Sequence, residues 1–235
     1  MVKLTLKDRK LLYELDLDSR QSVNELARKI GVSKTAVTYK LKKFEQEGII
    51  RHFHTIVDVG KLGYMSFRLY LNLEDTTSQK ESEIIEFLKS KKQVTWLVSI
   101  EGDYDIGALI LVKSVSEINS LWKELLEEFN EYIAERFLAI MTHVTYYSRA
   151  FILDETQRNT FENNFITEPQ ELFLEPKEIA LLQAIAVNPR KPIIELATEI
   201  GVTPKTAMQK IKTLEKKGVI LGYRTAFDYE KLGYG

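Results

Sequence analysis

The chain has no cysteine, only three histidines and two tryptophans, and five prolines in 235 residues. Without cysteine there can be no disulfide, no thiolate nucleophile and no cysteine-rich zinc site. The histidines stand at 52, 54 and 143. His52 and His54 alone are too few ligands to hold a metal. Glycine-rich phosphate loops and nucleophile elbows are missing, and neither "DLDSR" nor "GDYDIG" carries the ligand count of a calcium loop. No apolar run approaches the length of a membrane span, and the N-terminus lacks a signal-type hydrophobic stretch. The expectation is a cytoplasmic protein with no catalytic residue, no metal and no cofactor, and hence not an enzyme.

Charge is the first positive signal. The net value of -1 conceals three blocks. Residues 1–64 carry 13 basic and 8 acidic side chains, residues 65–170 carry 10 and 18, and residues 171–235 carry 10 and 8. A basic, acidic, basic alternation suggests two segments that meet a polyanion and one that avoids it.

The second signal is a repeat. Shifted by 170 positions, Lys7–Tyr64 lies on Lys177–Tyr234 without a gap, with 21 of 58 residues identical. "ELARKIGVSKTAVTYKLKKFEQEGII" meets "ELATEIGVTPKTAMQKIKTLEKKGVI", and "KLGY" closes both copies. Two copies indicate a duplication rather than a solenoid. The second copy stops where the first leads into new sequence, so the chain reads as one and a quarter units.

Each copy has the periodicity of three helices and a β-extension. Leu6, Leu11, Leu12 and Leu15 share a helical stripe behind a Thr5 cap. Ser22 and Glu25 form a capping-box pattern before Val23, Leu26, Ala27 and Ile30, and Gly31 ends that helix. Ser33 caps a third helix that buries Val37, Leu41 and Phe44, and Gly48 ends it. Small Ala27 and the turn at Gly31 give the spacing of a helix-turn-helix. The outward face of the third helix is then Lys34, Thr35, Thr38, Tyr39 and Lys42, donors and cations suited to base edges and phosphates. In the second copy Thr203 is the cap, Pro204 takes the first helical position, and Lys205, Thr206, Gln209, Lys210 and Thr213 face outward. "IIRHFHTIVD" reads as strand and wing, with His52 and His54 exposed near phosphates.

The middle reads β-α-β-β-α-β, a ferredoxin-like split. Its helices cover one sheet face, and Tyr70, Trp96 and Ile110 on the sheet are expected to form a subunit contact. "GDYD" reads as hairpin chemistry or as a ligand loop. Residues 151–173 read as a linker held down through Phe161 and Phe165. The expected domains are therefore a winged helix-turn-helix over 1–64, a βαββαβ domain over 65–150, the linker, and a second winged helix-turn-helix over 174–235, an α+β chain.

The helix-turn-helix of "DSRQSVNELARKIGVSKTAVTYKLKKFEQEGIIRHFHTIVDVGKLGY", followed by a βαββαβ domain with "GDYD" between its middle strands, resembles the Lrp/AsnC (feast/famine) transcription regulators. The resemblance covers residues 4–150 and returns at 174–235. It implies double-stranded DNA as partner, with Arg20, Gln21, Ser22, Ser33, Lys34, Thr35, Thr38 and Tyr39 at DNA-facing positions. It implies a homodimer or higher oligomer built by the middle domain, and an amino acid or related small molecule as effector. Gly102, Asp103, Tyr104 and Asp105 match the effector loop, with Thr142 beside it. A second helix-turn-helix departs from the usual pattern. Two rival readings share the residues: an architectural DNA-bridging protein of low sequence preference, and an enzyme like the siroheme decarboxylases, which resemble the same two-domain arrangement.

Overall fold

A computed structural model of the chain describes residues 3–153, the backbone of 163–166, and residues 169–234. The expected anchors Phe161 and Phe165 have side chains outside the described residues. The elements run α1 (Leu6–Leu17), α2 (Val23–Ile30), α3 (Lys34–Gln46), β1 (Ile50–Val57), β2 (Met65–Leu73), α4 (Ser78–Ser90), β3 (Val94–Ser99) and β4 (Ile106–Val112). They continue with α5 (Val115–Phe129), β5 (Ile133–Met141), β6 (His143–Tyr146), β7 (Asn163–Ile166), α6 (Pro176–Val187), α7 (Ile193–Glu199), α8 (Pro204–Lys216), β8 (Ile220–Phe227) and α9 (Tyr229–Leu232).

Local chemistry sets the helix ends where the sequence indicates. Thr5 and Ser22 accept from Asp8 N and Glu25 N in full capping boxes, which satisfies amides that a helix start leaves orphaned. Gly31 closes α2 at φ 68°, a left-handed conformation that costs glycine little. In the second copy Pro192 stands where Ser22 stands in the first. Accordingly α7 starts without a side-chain cap and is seven residues long.

The described residues divide into two compact units. The first contains those of Met1–Asp58, Thr145–Asn164 and Phe173–Gly235, and so holds both helix-turn-helix copies. Its core gathers Leu11, Leu12 and Leu15 of α1, Leu26 and Ile30 of α2, Val37, Leu41 and Phe44 of α3, with Phe227 and Leu232 from the second copy. Each such buried aliphatic side chain contributes about 1.5–3 kcal/mol. Leu6, expected on this stripe, is instead 62% exposed. At about 100° per residue it points away from Leu11, Leu12 and Leu15, on the opposite side of α1. Ala150 and Ile152, placed by sequence at the junction of domain and linker, are buried in this core.

Among the described residues the β-extensions form no wing hairpin of their own. β1 pairs antiparallel with β8, and the register centres on His54 opposite Arg224. These two residues are equivalent under the 170-residue shift. The two copies are therefore related by a pseudo-twofold axis through the middle of one shared ribbon.

The second unit contains the described residues of Val59–Val144 and Phe165–Leu172. Its four-stranded antiparallel sheet has the order β3-β4-β2-β5, the ferredoxin-like arrangement. Leu69, Leu71, Ile106, Ala108 and Ile110 pack beneath Ile84 and Leu88 of α4 and Ile118, Leu121, Leu125 and Phe129 of α5. Ile110 thus belongs to the helix-covered face, not to the open one expected for it, because strand alternation places it with Ala108 and Val112. The open face carries the Arg68 guanidinium 4.4 Å from the Trp96 ring centroid and Tyr70 beside Phe137 at 6.4 Å.

Candidate nucleic-acid interface

The site begins with the two third helices. In α3, Ser33 accepts from Ala36 N at 3.1 Å and fixes the helix start. Val37, Leu41 and Phe44 are held in the core. The buried stripe turns Lys34, Thr35, Thr38, Tyr39 and Lys42 to solvent, with Tyr39 64% exposed. In α8, Thr203 accepts from Thr206 N at 3.2 Å, and Ala207, Ile211 and Leu214 are buried. Lys205, Thr206 and Gln209 are exposed. The exposed face of α3 thus combines two cations, two threonine hydroxyls and a phenol, groups able to meet phosphates and base edges.

Three residues expected to face DNA are placed elsewhere. Arg20 donates to Pro189 O of the second copy and lies over the Tyr223 ring at 5.6 Å. Gln21 is buried, and its amide donates to Glu14 O at 2.8 Å and Asp18 O at 3.1 Å. Lys210 is mostly covered and paired with Glu175 at 2.6 Å, as its counterpart Lys40 is paired with Asp8 at 2.6 Å. Ser22 is exposed, with its hydroxyl committed to Glu25 at 2.8 Å. His54, expected to be exposed, is half-buried in the centre of the ribbon. Burial, with the positive charges of Arg149 and Arg224 and neighbouring His52, pushes its pKa down to about 4. Asp16 opposes that shift without overcoming it. The imidazole is neutral at physiological pH and offers phosphates no cation. His52 is exposed.

Reciprocity explains these placements. Arg190, the counterpart of Arg20, donates to Ser19 O and Gln21 O and lies over Phe53 at 5.4 Å, just as Arg20 lies over Tyr223. Thr55 Oγ1 donates to Ile185 O at 2.6 Å, and Thr225 Oγ1 donates to Leu15 O at 2.8 Å. Asp58 N donates to Val219 O and Asp228 N to Ile49 O, each at 2.9 Å. Arg20/Arg190, Thr55/Thr225 and Asp58/Asp228 are all identities of the repeat. The signal was present, but conserved identity between copies marks the surface on which the copies meet as readily as a surface that meets DNA.

One cluster breaks the symmetry and was not read from sequence. Asp16, fully buried, accepts from Arg149 N at 2.8 Å and pairs with the Arg149 guanidinium. Arg224 donates to Asp16 O at 2.6 Å and approaches its carboxylate at 3.4 Å. Ala186 occupies the position equivalent to Asp16, and His54 the position equivalent to Arg224.

In the second unit, the loop between β3 and β4 is braced from within. Asp105 accepts from Leu73 N at 2.6 Å through its carboxylate, and its backbone bonds Leu71 O at 2.9 Å and Ile100 N at 2.7 Å. One carboxylate oxygen is thereby tied to the β2 backbone. Tyr104 stacks on Tyr70 at 5.4 Å, while Gly102, Asp103 and Thr142 are exposed.

Comparison with known proteins agrees with this geometry. A family model described as winged helix-turn-helix DNA-binding matches residues 4–51 and again 174–220. An uncharacterized HTH-type transcriptional regulator of Pyrococcus furiosus is 32% identical over 146 residues, 61% of this chain and 97% of that protein. The HTH-type transcriptional regulator LrpA of Pyrococcus horikoshii is 32% identical over 112 residues, 48% of this chain and 78% of its own. The chain belongs to the Lrp/AsnC family of helix-turn-helix transcriptional regulators. An AsnC family regulator from Agrobacterium tumefaciens shares the fold with a TM-score of 0.54 and 21% identity, over 62% of this chain and 95% of that one. The siroheme decarboxylase NirDL shares it over 94% of this chain and 65% of its own, with a TM-score of 0.64 and 17% identity. Among the described residues, no helix is long and apolar enough to cross a membrane.

Proposed function

We propose that this DNA-binding regulator grips duplex DNA with both recognition helices of one chain. The observation that carries the reading is the reciprocal pairing of the copies about the β1–β8 ribbon, because it sets α3 and α8 in twofold relation. Two such helices enter successive major grooves about one helical turn apart. Ser33, Lys34, Thr35, Thr38, Tyr39 and Lys42 form one reading face, and Thr203, Lys205, Thr206 and Gln209 the other. Lysines neutralise phosphates, while the hydroxyls, Tyr39 and Gln209 meet base edges. The acidic middle domain stays off the duplex and self-associates through its open sheet face around Arg68, Tyr70, Trp96 and Phe137. An amino acid or similar effector acting there would change how subunits pack, and so how the heads are spaced. Such a protein works in the cytoplasm.

Lys42→Glu tests the reading face. Lys42 is exposed and outside the core, so the helical circular dichroism should be unchanged. Affinity for a selected DNA site should fall by roughly tenfold or more, and the salt slope should drop by about 1. Unchanged affinity would mean that α3 presents another face or none.

The likeness to NirDL supports a second reading, since it spans both copies and the middle domain. Its solved complex holds an iron-uroporphyrin III analogue. Here His54 lies half-buried within the ribbon, and His52 is exposed. Tetrapyrrole binding with no DNA binding would favour that reading. DNA binding with a specificity ratio below about 10³ would favour an architectural role.

A further inference from the structure

We infer that the DNA partner of one chain is an asymmetric site with two unlike half-sites, because the paired heads are obligatorily unlike. This rests on the DNA-binding reading above and adds to it the class of sequence recognised. Two independent observations support it.

The first is what the recognition helices present. Under the 170-residue shift, Thr35 corresponds to Lys205, Thr38 to Met208 and Tyr39 to Gln209. All six are exposed. The chemistry differs at each pair. Lys205 can donate to guanine O6 and N7 where Thr35 offers a hydroxyl. Gln209 can bond adenine bidentately where Tyr39 offers a ring, and Met208 is apolar where Thr38 has a methyl and a hydroxyl. The residues behind them keep their type: Val37/Ala207, Leu41/Ile211 and Phe44/Leu214 are buried apolar pairs. The scaffold has been retained while the reading face has changed.

The second is the ion cluster that breaks the pseudo-symmetry. In the observed pairing Asp16 of the first copy meets Arg224 of the second at the centre of the ribbon. Pairing two second copies would set Arg224 against Arg224, with Ala186 in the place of Asp16. Two guanidiniums would then share a buried site with no carboxylate from either copy. Pairing two first copies would set His54 against His54 and leave Asp16 without Arg224. Only the unlike pair places the carboxylate against the strand guanidinium. The cluster therefore selects one α3 with one α8, and like-with-like pairing between chains, which would read a palindrome, is disfavoured.

The test is selection of bound duplexes from a random library by the full chain at physiological salt. It is repeated with the triple variant Lys205→Thr, Met208→Thr, Gln209→Tyr, which gives α8 the α3 residues at these three positions. Wild type should enrich a non-palindromic composite, its half-sites centred about 10 base pairs apart. The variant should convert the second half-site toward an inverted copy of the first, giving a palindrome. Identical inverted half-sites about 10 base pairs apart from wild type would overturn the inference and leave DNA recognition standing, whereas a larger inverted repeat of the whole composite would reflect two chains and keep it. A single half-site indifferent to the α8 changes would likewise overturn it. Absence of any enriched sequence would overturn sequence reading itself, and the inference with it.

Discussion

Replacing Asp16 by alanine should cost the first unit about 3–5 kcal/mol, much of the roughly 5–15 kcal/mol that holds a domain together. Asp16 is fully buried and serves two arginines, one of them, Arg224, only 3% exposed. Removing that carboxylate takes away the anion that the buried Arg224 guanidinium approaches at 3.4 Å, while the more exposed Arg149 keeps access to water. The chain supplies its own control. Both tryptophans, Trp96 and Trp122, lie in the second unit. Tryptophan fluorescence should therefore unfold as in wild type, while the helical circular dichroism, to which the first unit contributes most of the helices, unfolds at lower urea. A double variant, Asp16→Ala with Arg224→His, rebuilds on this side the Ala186 and His54 arrangement that the fold accepts on the other. It should recover a large part of the loss, as a coupling term of about 1–3 kcal/mol. Equal losses in the single and double variants would show that Asp16 acts through Arg149 alone.

Deleting residues 173–235 should reduce affinity for the selected DNA by about a hundredfold or more. In the full chain the second head is tethered, with an effective concentration in the millimolar range. After deletion the first head can pair only with a like head from a second chain, a pairing that lacks the Asp16–Arg224 contact. The cut also strips β1 of its partner strand, leaves Thr55 without Ile185 O and takes Arg224 from Asp16. An edge strand carrying Ile50 and Ile56 would be exposed. The self-association proposed for the sheet face should survive, because Trp96, Tyr70 and Phe137 lie in the other unit. Light scattering and DNA titration on the same sample separate the two effects. Undiminished affinity would mean that one head suffices.

Much of this architecture was legible in the sequence, for identifiable reasons. Caps, glycine ends and apolar periodicity are local, so Thr5, Ser22, Ser33, Gly31 and Thr203 fall where local chemistry puts them. The βαββαβ order follows from alternation between periods of two and 3.6 residues. The exposed faces of α3 and α8 followed from the buried stripes opposite them. The pairing of the copies was not local. Arg20 looks like a phosphate contact until the second copy offers it Pro189 O, and Gln21 until its amide folds back on Glu14 O and Asp18 O of its own copy. His54 shares a strand face with His52 in sequence, yet only the partner strand decides that it is half-buried. That β2 offers Asp105 an amide at Leu73 could not be read from the hairpin sequence. Ile110 was assigned to the wrong sheet face because a strand of nearly continuous apolar residues, "IGALILV", hides which alternate positions meet the helices.

The most direct test of intrachain pairing uses the absence of native cysteine. His52 lies opposite Ala226 across the β1–β8 ribbon, at the exposed end of the pair. Adjacent antiparallel strands hold such residues within the about 4.4–6.8 Å Cα separation a disulfide spans. Cysteines placed at these two positions and oxidised at low protein concentration should give one product, a monomer closed on itself. It should run at altered mobility on a denaturing gel and return to normal on reduction. Covalent dimers in its place would show that the heads pair between chains, and an open monomer that resists oxidation would show that the ribbon does not form.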